Sequence, residues 1–130
     1  MAAAVRGVLD TSVVIASEVL ELPDEAAISA ATIAELHFGV YLARTDEQRR
    51  ARVRRLTEIE SRFDPLPIDA PVARSYGMLA HLVVTAGRQP RRRAMDLLIA
   101  ATAHAHGVAL YTRNADDLTG FETELDWHLV

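Results

Sequence analysis

From end to end the chain alternates short runs of β character with amphipathic helical stretches, and this alternation limits its fold more than any other feature. Val8-Leu9, with Val5 upstream, is a short apolar run, and Ala27-Ile28-Ser29 is a second. Pro65-Leu66-Pro67-Ile68 reads as an edge strand, because proline brings no ladder donor. Val108 to Tyr111 and Leu125 to Val130 follow. Strands separated by helices must be joined by crossovers, which favour parallel pairing. The expectation is an α/β sandwich of three layers, α/β/α, around a central, mainly parallel sheet of about five strands. No internal repeat, low-complexity tract or linker divides the sequence, so residues 1–130 are read as a single domain.

The helices carry local punctuation. Asp10-Thr11-Ser12 is a polar junction into Val13, Val14 and Ile15. A second helix is read from Thr32, with Ile33, Leu36, Val40 and Tyr41 as its apolar stripe and Thr32-x-x-Glu35 as a capping box. Asp46 to Phe63 is a third, narrow in its apolar stripe and rich in arginine outside. Asp69 caps a fourth, Pro71 lies in its first turn, and Gly87 ends it. The stretch from Ala94 to Leu118 is the most informative. Leu97, Leu98, Ala101 and Ala105 recur at helical spacing, and Gly107 sits where a helix end wants positive φ. A short strand then runs into Thr112-Arg113-Asn114 and the pair Asp116-Asp117.

Half of the 130 residues are hydrophobic and a quarter charged, a balance that folds rather than stays disordered. With no cysteine there is neither a disulfide framework nor a thiolate metal site. The start, MAAAVRGVLD, lacks the basic and long apolar regions of a signal peptide, and no apolar run approaches a membrane span. A soluble, cytoplasmic protein is expected. The net charge of −4 does not announce a nucleic-acid binder, yet every basic residue is arginine. They gather at Arg49–Arg55, where a solvated helix face weighs more than a binding surface, and at Arg88–Arg93, read as a polar, mobile connection into the next helix.

Four acids fall at equivalent places. Asp10, Glu35, Asp96 and Asp117 each follow a strand or lie near the start of a helix, junctions that a parallel sheet gathers on one edge. Two carboxylates about 4 Å apart repel by roughly 4 kcal/mol at an effective dielectric of 20, so such a cluster calls for protons, arginine or metal. Oxygen donors alone favour Mg²⁺ or Mn²⁺ over zinc. His104 and His106 diverge on their helix, and His37, His81 and His128 stand alone, so none is read as a ligand. One or two hard cations would activate water against a phosphodiester with no covalent nucleophile. Thr11, Ser12, Thr112 and Asn114 can hydrogen-bond the carboxylates.

The ordered set Leu9-Asp10-Thr11-Ser12, Ser29 to Leu36, Asp96-Leu-Leu-Ile-Ala and Thr112-Arg-Asn114-x-x-Asp117-Leu118 resembles the PIN domain, and more narrowly the VapC toxins of type II toxin–antitoxin pairs. The likeness covers nearly the whole chain. It implies a PIN-like fold and a Mg²⁺/Mn²⁺-dependent endoribonuclease with Asp10, Glu35 and Asp96 as three of four catalytic, metal-holding acids. The fourth position departs from the family pattern, which places phenylalanine after the acid where this chain has Leu118. Spacing favours Asp117, with Asp116 as the alternative. The resemblance also implies a homodimer and a cognate VapB-like antitoxin that inhibits the site and links the complex to operator DNA. A PIN-like RNA- or partner-binding module without turnover is the competing reading. An acidic Mg²⁺ signalling domain is weaker, because a receiver would use a lysine and the chain has none.

Overall fold

A computed structural model describes residues 3–17 and 21–130. Four strands, β1 (Arg6–Leu9), β2 (Glu25–Ala27), β3 (Ala109–Thr112) and β4 (Trp127–Leu129), form one sheet in the order β2-β1-β3-β4. Every pairing is parallel. Among the described residues, five α-helices supply the crossovers: α1 (Thr11–Val14), α2 (Ala30–Tyr41), α3 (Asp46–Arg62), α4 (Ala70–Thr85) and α5 (Ala94–Ala105).

The side-chain alternation of the central strands sorts the core into two layers. Val8 and Leu110 enter a cluster with Val72, Leu79 and Val83 of α4 and Leu97, Ile99 and Ala100 of α5. Leu9 and Tyr111 face the other way, onto Val13 of α1 and Ile59 of α3, with Ile33 and Leu36 of α2 against them. Burial on both faces is what a parallel sheet between helices requires. Gly7 serves this packing directly. A Cβ there would fall 2.5 Å from Cε1 of Tyr111, so only glycine lets the ring lie over β1.

Helix ends follow their sequence signals. Gly107 (φ +66°) closes α5, its N–H bonding the His104 carbonyl while Val108 N–H bonds that of Ala103, and Gly87 (φ +79°) closes α4 in the same way. Asp69 caps α4 through Val72 N–H.

Three expectations need correction. The stretch Pro65–Ile68 contributes a single bridge, Ser29 to Leu66, in place of a fifth strand, because the two prolines leave Leu66 N–H as the usable donor to the Ile28 carbonyl. Helix α2 begins at Ala30, with Ser29 as its cap accepting from Ala31 N–H, so Thr32 is not the capping residue. Tyr41 is 82% exposed and belongs to no buried stripe. Among the described residues no helix is long and apolar enough to cross a membrane.

Candidate metal-binding site

A helix that leads into or out of a parallel strand runs antiparallel to it, so helix N-termini and strand C-termini share one edge of the sheet. Four segments bring acids to that edge. Asp10 follows β1 directly and caps α1, its carboxylate accepting from Thr11 N–H while its own N–H bonds the Tyr111 carbonyl of β3. Glu35 lies in the second turn of α2, Asp96 in the first turn of α5, and Asp117 in a 3₁₀ turn, Ala115–Leu118, after β3.

Each of the four polar residues expected to support the acids makes such a bond. Ser12 Oγ and Thr112 Oγ1 both donate to Asp10 Oδ2 at 2.9 Å, while accepting from Arg113 N–H and Asn114 N–H respectively. Thr11 Oγ1 donates to Glu35 Oε1 at 2.8 Å and stands 3.1 Å from the hydroxyl of Thr32, which is fully buried. Glu35 is therefore turned toward α1 rather than back over its own helix start. Asn114 uses both ends of its amide: Oδ1 accepts from Asp116 N–H, closing the turn, and Nδ2 donates to Asp117 Oδ1 at 3.1 Å. That turn points the neighbouring acids apart. Asp116 is exposed, while Asp117 is half-buried and interacts electrostatically with Asp10.

The acids sense one another. Burial pushes the Asp96 carboxyl up to about 6, and the charges of Asp117, Asp10 and Glu35 add to it against Arg93. Glu35 is raised by burial and by Asp10 and Asp117, with the Thr11 hydrogen bond opposing. Asp117 is raised by burial, Asp10 and Asp116, with Arg93 opposing. Yet among the described residues no three His, Cys, Asp or Glu side chains converge into a group that would hold an ion as they stand. The donors are close enough to repel and are not closed into a chelate. In kind, four carboxylates with hydroxyl and amide support suit a hard dication such as Mg²⁺ or Mn²⁺.

Arg93 was not separable from its neighbours by sequence. Arg91 and Arg92 are exposed, whereas Arg93, at the cap of α5, is half-buried. Its guanidinium donates to the main-chain carbonyls of Asp116, Asp117 and Thr119 and lies 5.6 Å from the Phe121 ring centroid. It ties the turn bearing Asp117 to the helix bearing Asp96. The run Arg88–Arg93 is thus not uniformly a loose polar connection: Pro90–Arg93 forms a 3₁₀ turn, and its last arginine is structural. Three of the five histidines are engaged elsewhere, His104 with Ser75, His37 with Glu60, and His128 against the Tyr111 ring.

The family profile described as "PIN domain" matches residues 7–119. Among curated proteins, the chain is 38% identical over 118 residues to "Ribonuclease VapC5" of Mycobacterium tuberculosis, covering 85% of this chain and 84% of that protein. Among solved structures, it superposes with a TM-score of 0.81 on a chain of VapBC-5 from Mycobacterium tuberculosis, a member of the VapBC family of toxin–antitoxin systems. That match has 33% identity and covers 96% of this chain and 97% of the other. FitAcB from Neisseria gonorrhoeae gives 0.73, with 28% identity over 93% and 95% of the two chains.

Proposed function

This chain belongs to the PIN-domain family, among its VapC ribonucleases, and on that premise we propose that it is the toxin of a type II toxin–antitoxin pair. It cuts RNA endonucleolytically at a site where Asp10, Glu35, Asp96 and Asp117 hold Mg²⁺ or Mn²⁺. The observation that carries this reading is the mutual electrostatic strain of Asp96 with the three other acids, drawn from four separate segments to one sheet edge. Bound there, a divalent cation would lower the pKa of a water and offset the charge that builds on a phosphate under in-line attack.

The chain's own residues divide the remaining work. Ser12, Thr112 and Thr11 N–H fix the Asp10 carboxylate in one orientation. Thr11 aims Glu35, and Asn114 aims Asp117. Asp96 lies in the first turn of α5, where the helix N-terminus favours a negative charge. With Asp96 held by no donor among the described residues, its carboxyl is free to turn toward a cation. Asp116, facing solvent, stays outside the set. Water is the nucleophile, and no side chain need form a covalent intermediate. An antitoxin like the partner in the VapBC structures would inhibit by presenting a basic side chain to the four acids. Two copies of the chain would then set two such edges against one folded RNA.

The test is cleavage of a total RNA pool by purified protein with Mg²⁺, with Mn²⁺ and with EDTA, beside Asp96→Asn. Cleavage that requires metal and falls by about 10²-fold or more in the variant is expected. Equal cleavage by wild type and variant would remove the acidic edge from the chemistry. Tight RNA binding with no cleavage under any metal would favour the binding-module reading.

A further inference from the structure

Beside the acids a second hollow opens between α1, α2 and α3. Its cavity is about 350 Å³, and its lining includes the apolar Ile15, Leu36 and Leu56 and the charged Arg52 and Arg55. Thr11 and Glu35 belong to its lining too, so it is continuous with the acidic edge. We infer that this hollow is a nucleobase subsite, which takes the base adjoining the cleaved phosphate and so selects where RNA is cut. The inference rests on the ribonuclease reading above and extends it to sequence choice.

Three features fit that occupant. Size comes first: the volume lies at the small end of the range for ligand pockets, about 300–1,000 Å³, suited to one base rather than to a helix or an extended peptide. Charge comes second. Glu35 brings the acidic edge into the lining, and Arg52 and Arg55 add positive charge to it. A nucleotide offers an anionic phosphate to such arginines and an apolar ring face to set against Ile15, Leu36 and Leu56. Arginine planes also stack on unpaired bases and hydrogen-bond their edges, the manner in which single-stranded RNA is read. Third, Arg52 is already positioned, its Nη1 donating to the Gly39 carbonyl at 2.6 Å. A guanidinium has five donors in a fixed fork, so this tether orients the group and leaves others for a ligand. Among the described residues no carboxylate pairs with Arg52 or Arg55, whereas Arg49 on the same helix stands 3.8 Å from Asp46.

Gly39 offers the means of testing this. It lines the hollow inside α2, and a Cβ added there would meet nothing within 4 Å. Its φ is ordinary, so a side chain is tolerated, and losing a helix-interior glycine favours folding. Gly39→Leu should therefore fold and partly fill the space. Arg55→Ala removes a charge from the side of the hollow without filling it, and Arg49→Ala, outside the lining, is the control.

The experiment is digestion of a single-stranded RNA pool of randomised sequence with Mn²⁺, reading base frequencies on both sides of every cut. The expected result is a base preference at one position next to the cut in wild type and in Arg49→Ala. That preference should flatten at least about threefold in Gly39→Leu and change in Arg55→Ala. Unchanged preference in both Gly39→Leu and Arg55→Ala, with cutting retained, overturns the inference, as does wild-type cutting without any base preference. If preference is unchanged but the antitoxin no longer inhibits the variants, the hollow belongs to a protein occupant and the inference is equally overturned. Absence of any cut by wild type overturns the ribonuclease reading itself, and the subsite with it.

Discussion

Asp10 and Asp96 stand on the same edge of the sheet and act on the same charge field, yet the chain treats them in opposite ways. Asp10 is 6% exposed, and three donors, two from α1 and one from β3, reach its two oxygens. Asp96 is more open to solvent but receives no hydrogen bond among the described residues, so burial and three neighbouring carboxylates hold it up to about 6. One acid is built into the framework; the other is left with its electrostatic cost unrelieved. A fixed anchor beside an unsatisfied, adjustable partner is an arrangement in which an added dication stabilises the whole set, because it relieves repulsion that hydrogen bonds leave in place.

Isosteric amides make the contrast measurable. Both Asp10→Asn and Asp96→Asn should abolish metal-dependent cleavage, but their stabilities should diverge. In Asp10→Asn an NH₂ group must face at least one of the donors now satisfied by a carboxylate oxygen. Since Ser12 and Thr112 hydroxyls already accept from Arg113 and Asn114 N–H groups, rearrangement is constrained. A loss of about 1–3 kcal/mol in denaturant unfolding at pH 7 with EDTA is expected. Asp96→Asn removes a repelled, partly buried charge and should leave stability unchanged or higher. Were Asp96→Asn the more damaging of the two, the distinction drawn between anchor and partner would collapse.

The second expectation concerns pH and is somewhat smaller. In the folded protein Asp96 titrates near 6, above its ordinary value of 3.8. The folded state therefore binds the proton more tightly than the unfolded chain. That contribution to stability is fully present below about pH 4 and is lost as pH rises through about 6. Glu35 and Asp117 are raised in the same direction. After allowance for solvent screening of a half-exposed group, Asp96 should account for about 1–2 kcal/mol between pH 4 and 7. It should be seen as the part of the wild-type slope missing from Asp96→Asn in metal-free unfolding curves. Adding Mg²⁺ should remove most of this slope, because cation and proton compete for the same oxygens. A slope shared by wild type and variant would place the proton elsewhere.

How these acids came together was largely legible from the chain, because the signals are local. Strand-to-helix junctions, the Gly107 stop and the polar partners Thr11, Ser12, Thr112 and Asn114 all follow from turn chemistry within a few residues. What escaped depended on tertiary neighbours. Ser29 and Thr32 are both able caps, and the choice fell to Ser29 because the bridge to Leu66 fixes the chain just before α2. Thr32 was thereby drawn into the interior beside Thr11. Asp116 and Asp117 differ by one position in sequence, but the Asn114 turn sends one to solvent and the other toward Asp10. Arg91, Arg92 and Arg93 read identically, and only the docking of the last turn against Phe121 separates the third.

Arg93 supplies the finest adjustment of the comparison, since it bears on Asp96 and Asp117 and does so in two ways. Its charge lowers the Asp96 carboxyl, but it ranks behind burial and behind each of the three neighbouring acids. Its fork also holds the carbonyls of Asp116, Asp117 and Thr119. Arg93→Lys keeps the charge and loses the fork, whereas Arg93→Gln loses the charge and keeps a shorter donor. If the electrostatic part is separable, Arg93→Gln should move the Asp96 titration upward by less than about one pH unit, about 1 kcal/mol, and Arg93→Lys should leave it nearly in place. Carboxyl carbon chemical shifts followed from pH 4 to 8 in EDTA would read this directly. A larger shift in Arg93→Lys than in Arg93→Gln would mean that the fork, by placing Asp117 beside Asp96, governs the proton more than the charge does. The same pair of variants should leave the salt dependence of RNA binding unchanged, because this guanidinium is turned inward. Arg91→Ala with Arg92→Ala should flatten that dependence if those exposed side chains touch phosphate.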